Sequence, residues 1–140
     1  MVYRRYSNAA AAHRPTADEV HKAHALGKWG EDMAVQYLQG KGYTIIERNY
    51  RKGHLEIDII SRNQDGLIFV EVKTRSSDTF AQPEDSVNHK KRKDLMRIAN
   101  QYVISHHITD YVQFDVITIV HNASGTKIEH FENAFSMLNY

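Results

Sequence analysis

Residues 55–75 read LEIDIISRNQDGLIFVEVKTR, two apolar runs joined by a polar turn. The runs 55–61 and 67–74 are rich in β-branched and aromatic residues. Between them Arg62-Asn63-Gln64-Asp65-Gly66 is a strong turn signal, so the stretch is expected to fold as a β-hairpin. Asp58 interrupts the first arm, and Glu71 and Lys73 interrupt the second. Side chains alternate across a strand, so Glu71 and Lys73 share one face while Val70 and Val72 share the other. A turn centred between Gln64 and Asp65 sets Asp58 opposite Glu71, and one centred on Asp65-Gly66 sets it opposite Lys73. A register one residue away turns Asp58 to the face of Val72. Charge buried in apolar sequence is costly unless it is paired or bound to a metal. The stretch therefore encodes either an internal ion-pair cluster or a metal-dependent site.

Working outward, Met33, Ala34, Tyr37 and Leu38 have helical spacing, and the pattern predicts a helix over 26–39 that Gly40 and Gly42 end. Residues 44–49 read as a strand before the hairpin. Residues 75–86 form a polar loop containing Pro83. A second helix is expected over 86–106, with Val87, Leu95, Ile98, Ala99, Tyr102 and Val103 on one stripe. Residues 111–120 read as a fourth strand and 127–131 as a short fifth. This order gives an α/β fold, a central mixed β-sheet flanked by helices. The expected organisation is a flexible N-terminal tail over 1–24, one α/β domain over 25–135 and a C-terminal tail over 136–140.

The 140 residues are 41% hydrophobic and 25% charged, as in an ordinary globular domain. There is no cysteine, which excludes disulfides and thiolate metal sites. The formal net charge is only +1, yet 11 of the 18 Lys and Arg residues fall between positions 48 and 97. They include Lys90-Lys91-Arg92-Lys93, with Arg48, Arg51, Lys52 and Arg75. A local basic surface attracts phosphate even on a nearly neutral protein; a solvated helix face is the plainer reading of the lysine run. No apolar run approaches the roughly 20 residues needed to span a membrane. Residues 1–14 are too weakly apolar for a signal segment, so no membrane association and a cytoplasmic location are expected.

Two more charged residues lie on apolar helical stripes. Glu31 comes three and seven residues before Ala34 and Leu38, and Lys91 comes four residues from both Val87 and Leu95. Charge complementarity at a helix start and lysine snorkelling are the simpler explanations. Nine histidines include no H-E-x-x-H pattern, and surface positions are expected for them. Trp29, Tyr43 and Tyr50 have the chemistry to stack on bases, although packing near strand and helix ends is the preferred reading.

Two carboxylates a few ångströms apart repel each other, and a divalent cation relieves the repulsion. Mg²⁺ prefers hard oxygen ligands and keeps several waters. Such a site activates water and stabilises charge on a phosphoryl oxygen, and a nearby lysine can hold that water. The competing explanation is a Glu71–Lys73 salt bridge on a half-exposed strand.

Together, Gly30-Glu31-Asp32-Met33-Ala34, Gly42-Tyr43, Glu47-Arg48-Asn49-Tyr50-Arg51, Glu56-Ile57-Asp58-Ile59-Ile60, Phe69-Val70-Glu71-Val72-Lys73-Thr74-Arg75, Val87, Lys91, Phe114-Asp115-Val116 and the stretch from Glu129-His130 to Ala134-Phe135 resemble the bacterial YraN-like family. That family is similar to the PD-(D/E)xK nuclease superfamily, with archaeal Holliday-junction resolvases among its nearer relatives. The resemblance implies a restriction-endonuclease-like core and a metal-dependent endonuclease acting on DNA, with branched or structured DNA as one form of substrate. It implies Asp58 and Glu71 as metal-binding acids, the main-chain carbonyl of Val72 as a further ligand and Lys73 as the catalytic lysine. Glu31 matches the acid of the first helix, which reaches the metal in resolvase-like members. Lys91 matches a helix position expected to lie near phosphate. Mg²⁺ or Mn²⁺ is the implied cofactor, and a homodimer is plausible by the same resemblance. Lys90, Lys91, Arg92, Lys93, Arg75 and Arg51 are the candidate DNA contacts. Leu55 stands where the family carries glycine, the glycine being displaced to Gly53. Two alternatives stand beside the nuclease: a nucleic-acid-binding module of the same fold without efficient catalysis, and a structural or interaction domain whose charges only pair internally.

Overall fold

The computed structural model describes residues 16–76 and 88–135. Helix α1 (Ala17–Gly40) leads into β1 (Thr44–Lys52), β2 (Leu55–Arg62) and β3 (Gly66–Arg75). Helix α2 (His89–Ser105) then precedes β4 (Tyr111–Asn122) and β5 (Gly125–Phe135). The sheet has the order β1-β2-β3-β4-β5. Only the β3–β4 pair is parallel, and the other three pairs are antiparallel. This is the expected α/β architecture, a mixed sheet flanked by helices.

The central strand β3 is buried on both faces, which is why its sequence is nearly continuous in apolar residues. Leu67 and Phe69 pack with Ile60 and Val116 against Leu95, Ile98 and Tyr102 of α2. Ile68 and Val70 pack with Ile59, Ile117 and Ile119 against Ala34 and Leu38 of α1. One helix therefore covers each face.

The hairpin turn is fixed by Asn63. Its Oδ1 accepts the N–H groups of Asp65 at 2.8 Å and Gly66 at 3.2 Å, and its own N–H donates to the Gly66 carbonyl at 3.0 Å. Gly66 has φ +155° and lies so close to β4 that a Cβ there would overlap the Tyr111 carbonyl. The turn thus sets both the β2–β3 register, with Arg62 opposite Leu67, and the approach of β3 to β4.

Two expectations change. Residues 17–24, expected within a flexible tail, are helical. Thr16 starts α1 with a capping box: its side chain accepts Glu19 N–H at 3.1 Å, and the Glu19 carboxylate accepts Thr16 N–H at 2.8 Å. The first buried residue is Gly30, so no apolar periodicity marks this part of the helix. Strand β5 is also longer than expected. A bulge between Phe114 and Val116 brings Phe135 opposite Phe114, and their rings stack with centroids 4.8 Å apart. The expected loop over 75–86, with Pro83, lies largely outside the described residues, as do Val87 and the expected C-terminal tail. No helix among the described residues is long and apolar enough to cross a membrane.

Candidate functional site

The last β2–β3 pair is Ile59 opposite Val70. One step further along this register sets Asp58 opposite Glu71, the first of the registers the sequence left open. There the strands part. β2 stays paired with β1 as far as Leu55, but Val72 N–H finds the side chain of Asp58, donating to Oδ2 at 2.8 Å. Ile57 packs with the cluster on the α2 side, although simple alternation from Ile59 would send it to the other face. The residues of an extended strand direct N–H and C=O to the same neighbour, so the Val72 carbonyl also faces this gap. The opening between β2 and β3 is what allows groups from both helices to approach Asp58.

Glu71 is 5% exposed. Its Oε1 lies 3.4 Å from Lys73 Nζ and 3.6 Å from Lys91 Nζ. Its Oε2 is buried and accepts no hydrogen bond. Asp58 has its pKa pushed from 3.8 up to about 8, first by burial and next by the Glu71 carboxylate, while the Val72 N–H opposes the rise. A buried carboxylate oxygen without a donor beside a second carboxyl group needs a shared proton or a cation. The oxygens gathered here are hard donors, the type that Mg²⁺ and Mn²⁺ take. The residues present therefore fit a divalent cation.

Glu31 reaches the same opening from the other side of the sheet. Gly30 makes this possible: α1 passes so close to β3 that a Cβ on Gly30 would overlap Thr74 Oγ1. Asn49 then holds the Glu31 side chain, donating from Nδ2 to Glu31 Oε2 at 3.0 Å and to Glu56 Oε1 at 3.0 Å. Asn49 falls between the pairs Arg48–Ile59 and Tyr50–Ile57, so it lies opposite Asp58. It adopts φ +52°, a conformation asparagine tolerates better than most residues. Arg48 adds a contact to Glu31 at 3.4 Å and is itself held by Asp32. In the sequence Asn49 stands out only as part of a motif; in the structure its side chain, at a positive φ, holds both Glu31 and Glu56.

Asp58 lines two openings. A cleft of about 610 Å³ on the α1 side is shared by Glu31, Asn49, Val72, Lys73 and Arg75. A cleft of about 370 Å³ on the α2 side is shared by Glu56, Lys91 and Asp94. Of the basic candidates, Arg51 and Arg75 line the larger cleft. Arg51 also pairs with Glu56 at 2.7 Å, and Arg75 donates to the Thr74 carbonyl at 2.9 Å. The helix divides the basic run: Lys91 turns to Glu71, Arg92 lies over the Phe135 ring, and Lys90 and Lys93 are exposed. Tyr43 and Tyr50 are buried and Trp29 packs on His121, so these aromatics pack rather than present open faces.

Sequence reasoning missed a second polar group. Asp115, His130 and Glu132 place ligand atoms within 4.8 Å of one another and could hold a metal ion. His130 corrects the expectation of surface histidines, since its side chain is 2% exposed. Lys41 Nζ lies 3.0 Å from His130 Nδ1; an ammonium has only donors, so Nδ1 accepts and Nε2–H donates to Asp115 Oδ2 at 2.7 Å. Asp115 Oδ1 also accepts from Gln113 and from Asn133 N–H. Tyr43 O–H donates to Glu132, and its pKa is pushed up to about 12, chiefly by burial. Protein donors already serve this group, in contrast to Glu71 Oε2.

Comparison with known proteins gives a coherent result. Residues 30–119 match the model of the Uncharacterised protein family UPF0102. A UPF0102 protein of Flavobacterium psychrophilum is 46% identical over 110 residues, covering 79% of this chain and 92% of that protein. A UPF0102 protein of Thermodesulfovibrio yellowstonii is also 46% identical over 110 residues, covering 79% and 95%. Among solved structures, Pyrococcus furiosus SfsA in complex with Ca²⁺ is similar with a TM-score of 0.35 and 17% identity, covering 79% of this chain and 63% of that one.

Proposed function

The chain belongs to the uncharacterised protein family UPF0102, the YraN family, and from that premise we propose that it is a divalent-metal-dependent endonuclease hydrolysing phosphodiester bonds in DNA. The observation that carries the reading is Glu71 Oε2, buried without a donor beside Asp58. Asp58 and Glu71, with the Val72 carbonyl and Glu31 alongside, would hold Mg²⁺ or Mn²⁺. When bound there, the cation would offset the acid pair, acidify water and stabilise charge on a phosphoryl oxygen. Lys73, on the face of Glu71, donates to the attacking water and opposes negative charge at the phosphate. Lys91 pairs with Glu71 from α2 at 3.6 Å and would contact a phosphate oxygen of bound DNA. Arg51 and Arg75 line the cleft through which the DNA backbone would approach.

One observation favours a second reading. Lys73 and Lys91 both approach Glu71 Oε1, at 3.4 and 3.6 Å, and offset part of its charge without a metal. That arrangement suits a nucleic-acid-binding module of the same fold without efficient catalysis. A cleavage screen over duplex, nicked, flapped and four-way DNA with Mg²⁺ or Mn²⁺ separates the two. Metal-dependent cleavage that disappears in Lys73→Ala supports the nuclease. Cleavage that survives in Lys73→Ala contradicts the assigned mechanism. Salt-dependent binding without cleavage supports the second reading.

A further inference from the structure

Helix α1 begins before the part of the chain that matches the family. Residues 17–29 precede the matched segment and make more than three turns of helix, yet the first buried residue is Gly30. Short helices are marginal in water and draw most of their stability from packing; Trp29 packs against the α1-side core, but residues 17–25 are all exposed, so core packing does not explain where the helix starts. The extension does rise beside the cleft. Ala23, His24, Gly27 and Lys28 line the same 610 Å³ opening as Asp58 and Lys73. At the helical repeat, His24, Lys28 and Glu31 fall within about 60° of arc, so the face of α1 that carries Glu31 into the cleft continues with Lys28 and His24. Charge along the extension is segregated. Glu19 closes the capping box and Asp18 pairs with Lys22 at 3.1 Å, all at the far end, while His24 and Lys28 share the cleft with Arg75.

We propose that α1 ahead of Gly30 is a backbone-binding wall. The DNA strand next to the reacting phosphate lies along it, with the Lys28 ammonium and a His24 ring N–H donating to phosphate oxygens. The proposal rests on the nuclease reading and adds a binding segment ahead of the residues that the family model matches. The wall reads no base and contributes electrostatic, sequence-independent affinity.

The test is the affinity of the full chain for a short fluorescein-labelled DNA duplex over a series of salt concentrations, without divalent cation. Lys28→Ala should lower the slope of log K against log salt by about 0.9 and weaken binding at every salt. His24→Ala should also weaken binding. Lys22→Ala, absent from the cleft lining, should leave both unchanged. Melting temperatures should stay at the wild-type value, because neither cleft residue is buried. Wild-type affinity and slope in both Lys28→Ala and His24→Ala would overturn the wall and leave the nuclease reading standing. A wild-type protein that binds no duplex at low salt would overturn the wall, while the nuclease reading is decided separately by the cleavage screen over branched DNA.

Discussion

Asp58 Oδ2 accepts the backbone N–H of Val72 at 2.8 Å, just past the Ile59–Val70 pair at which β2 and β3 stop pairing. A side chain has replaced a strand as the partner of β3. The replacement opens the sheet, lets α1 and α2 contribute to one site, and leaves two carboxyl groups face to face.

The acid pair should destabilise the metal-free protein. Asp58 has a folded pKa of about 8 against 3.8 unfolded. Between these values the native state binds the proton more tightly, so the Asp58 contribution to stability falls as pH rises from about 4 to about 8 and is flat above. Asp58→Asn can still accept from Val72 and can donate to Glu71. Its melting temperature without metal should exceed that of the wild type at pH 8, and the gap should shrink toward pH 4. Melting curves across this range check it; a variant less stable than wild type at pH 8 would contradict the burial argument.

Gly30 should resist any side chain. Alanine there overlaps the Thr74 side chain, so Thr74 or α1 must shift, destabilising by about 1–3 kcal/mol. Thr74→Ala removes the overlapping Oγ1 and should restore part of the loss. Urea unfolding of the two single variants and the double variant measures the coupling. Strictly additive effects would mean that Gly30 and Thr74 do not set the helix position.

Asn49 should matter to the cation more than to the fold. Asn49→Gly keeps the backbone at φ +52° accessible and removes both hydrogen bonds to Glu31 and Glu56. Outer partners of metal ligands typically contribute about 10–100-fold in affinity. Mn²⁺ affinity should fall within that range while the melting temperature changes little. Unchanged Mn²⁺ affinity would remove Glu31 from the cation's surroundings.

The architecture was legible because it rests on local patterns, and so was the candidacy of Glu31, Asp58, Glu71, Lys73 and Lys91. The residue types of the hairpin and the helical spacing of Glu31 and Lys91 are visible without neighbours. The register was not, since it depends on Asn63 Oδ1 binding two N–H groups of the turn. The first half of α1 carries a capping box but no buried stripe, so periodicity says nothing about it. The end of β5 depends on a bulge and on pairing with Phe114. Likewise His130 lies between Glu129 and Phe131 with no metal-ligand motif around it, and only the fold buries it against Asp115.

The Asp115–His130 pair should be structural. His130→Ala leaves a buried Asp115 oxygen without its donor, a loss of about 1–3 kcal/mol, and removes edge contacts with Tyr37 and Tyr43. Urea unfolding should show this loss. A neutral effect would mean that the network adds nothing to the fold.

Calorimetric titration of Mn²⁺ into the metal-free protein tests the central claim, that Asp58 and Glu71 form the cation site. Wild type should bind, Asp58→Asn and Glu71→Gln should not, and His130→Ala should bind as wild type does. Binding that survives Asp58→Asn and disappears in His130→Ala would place the cation at the Asp115 group and contradict the account.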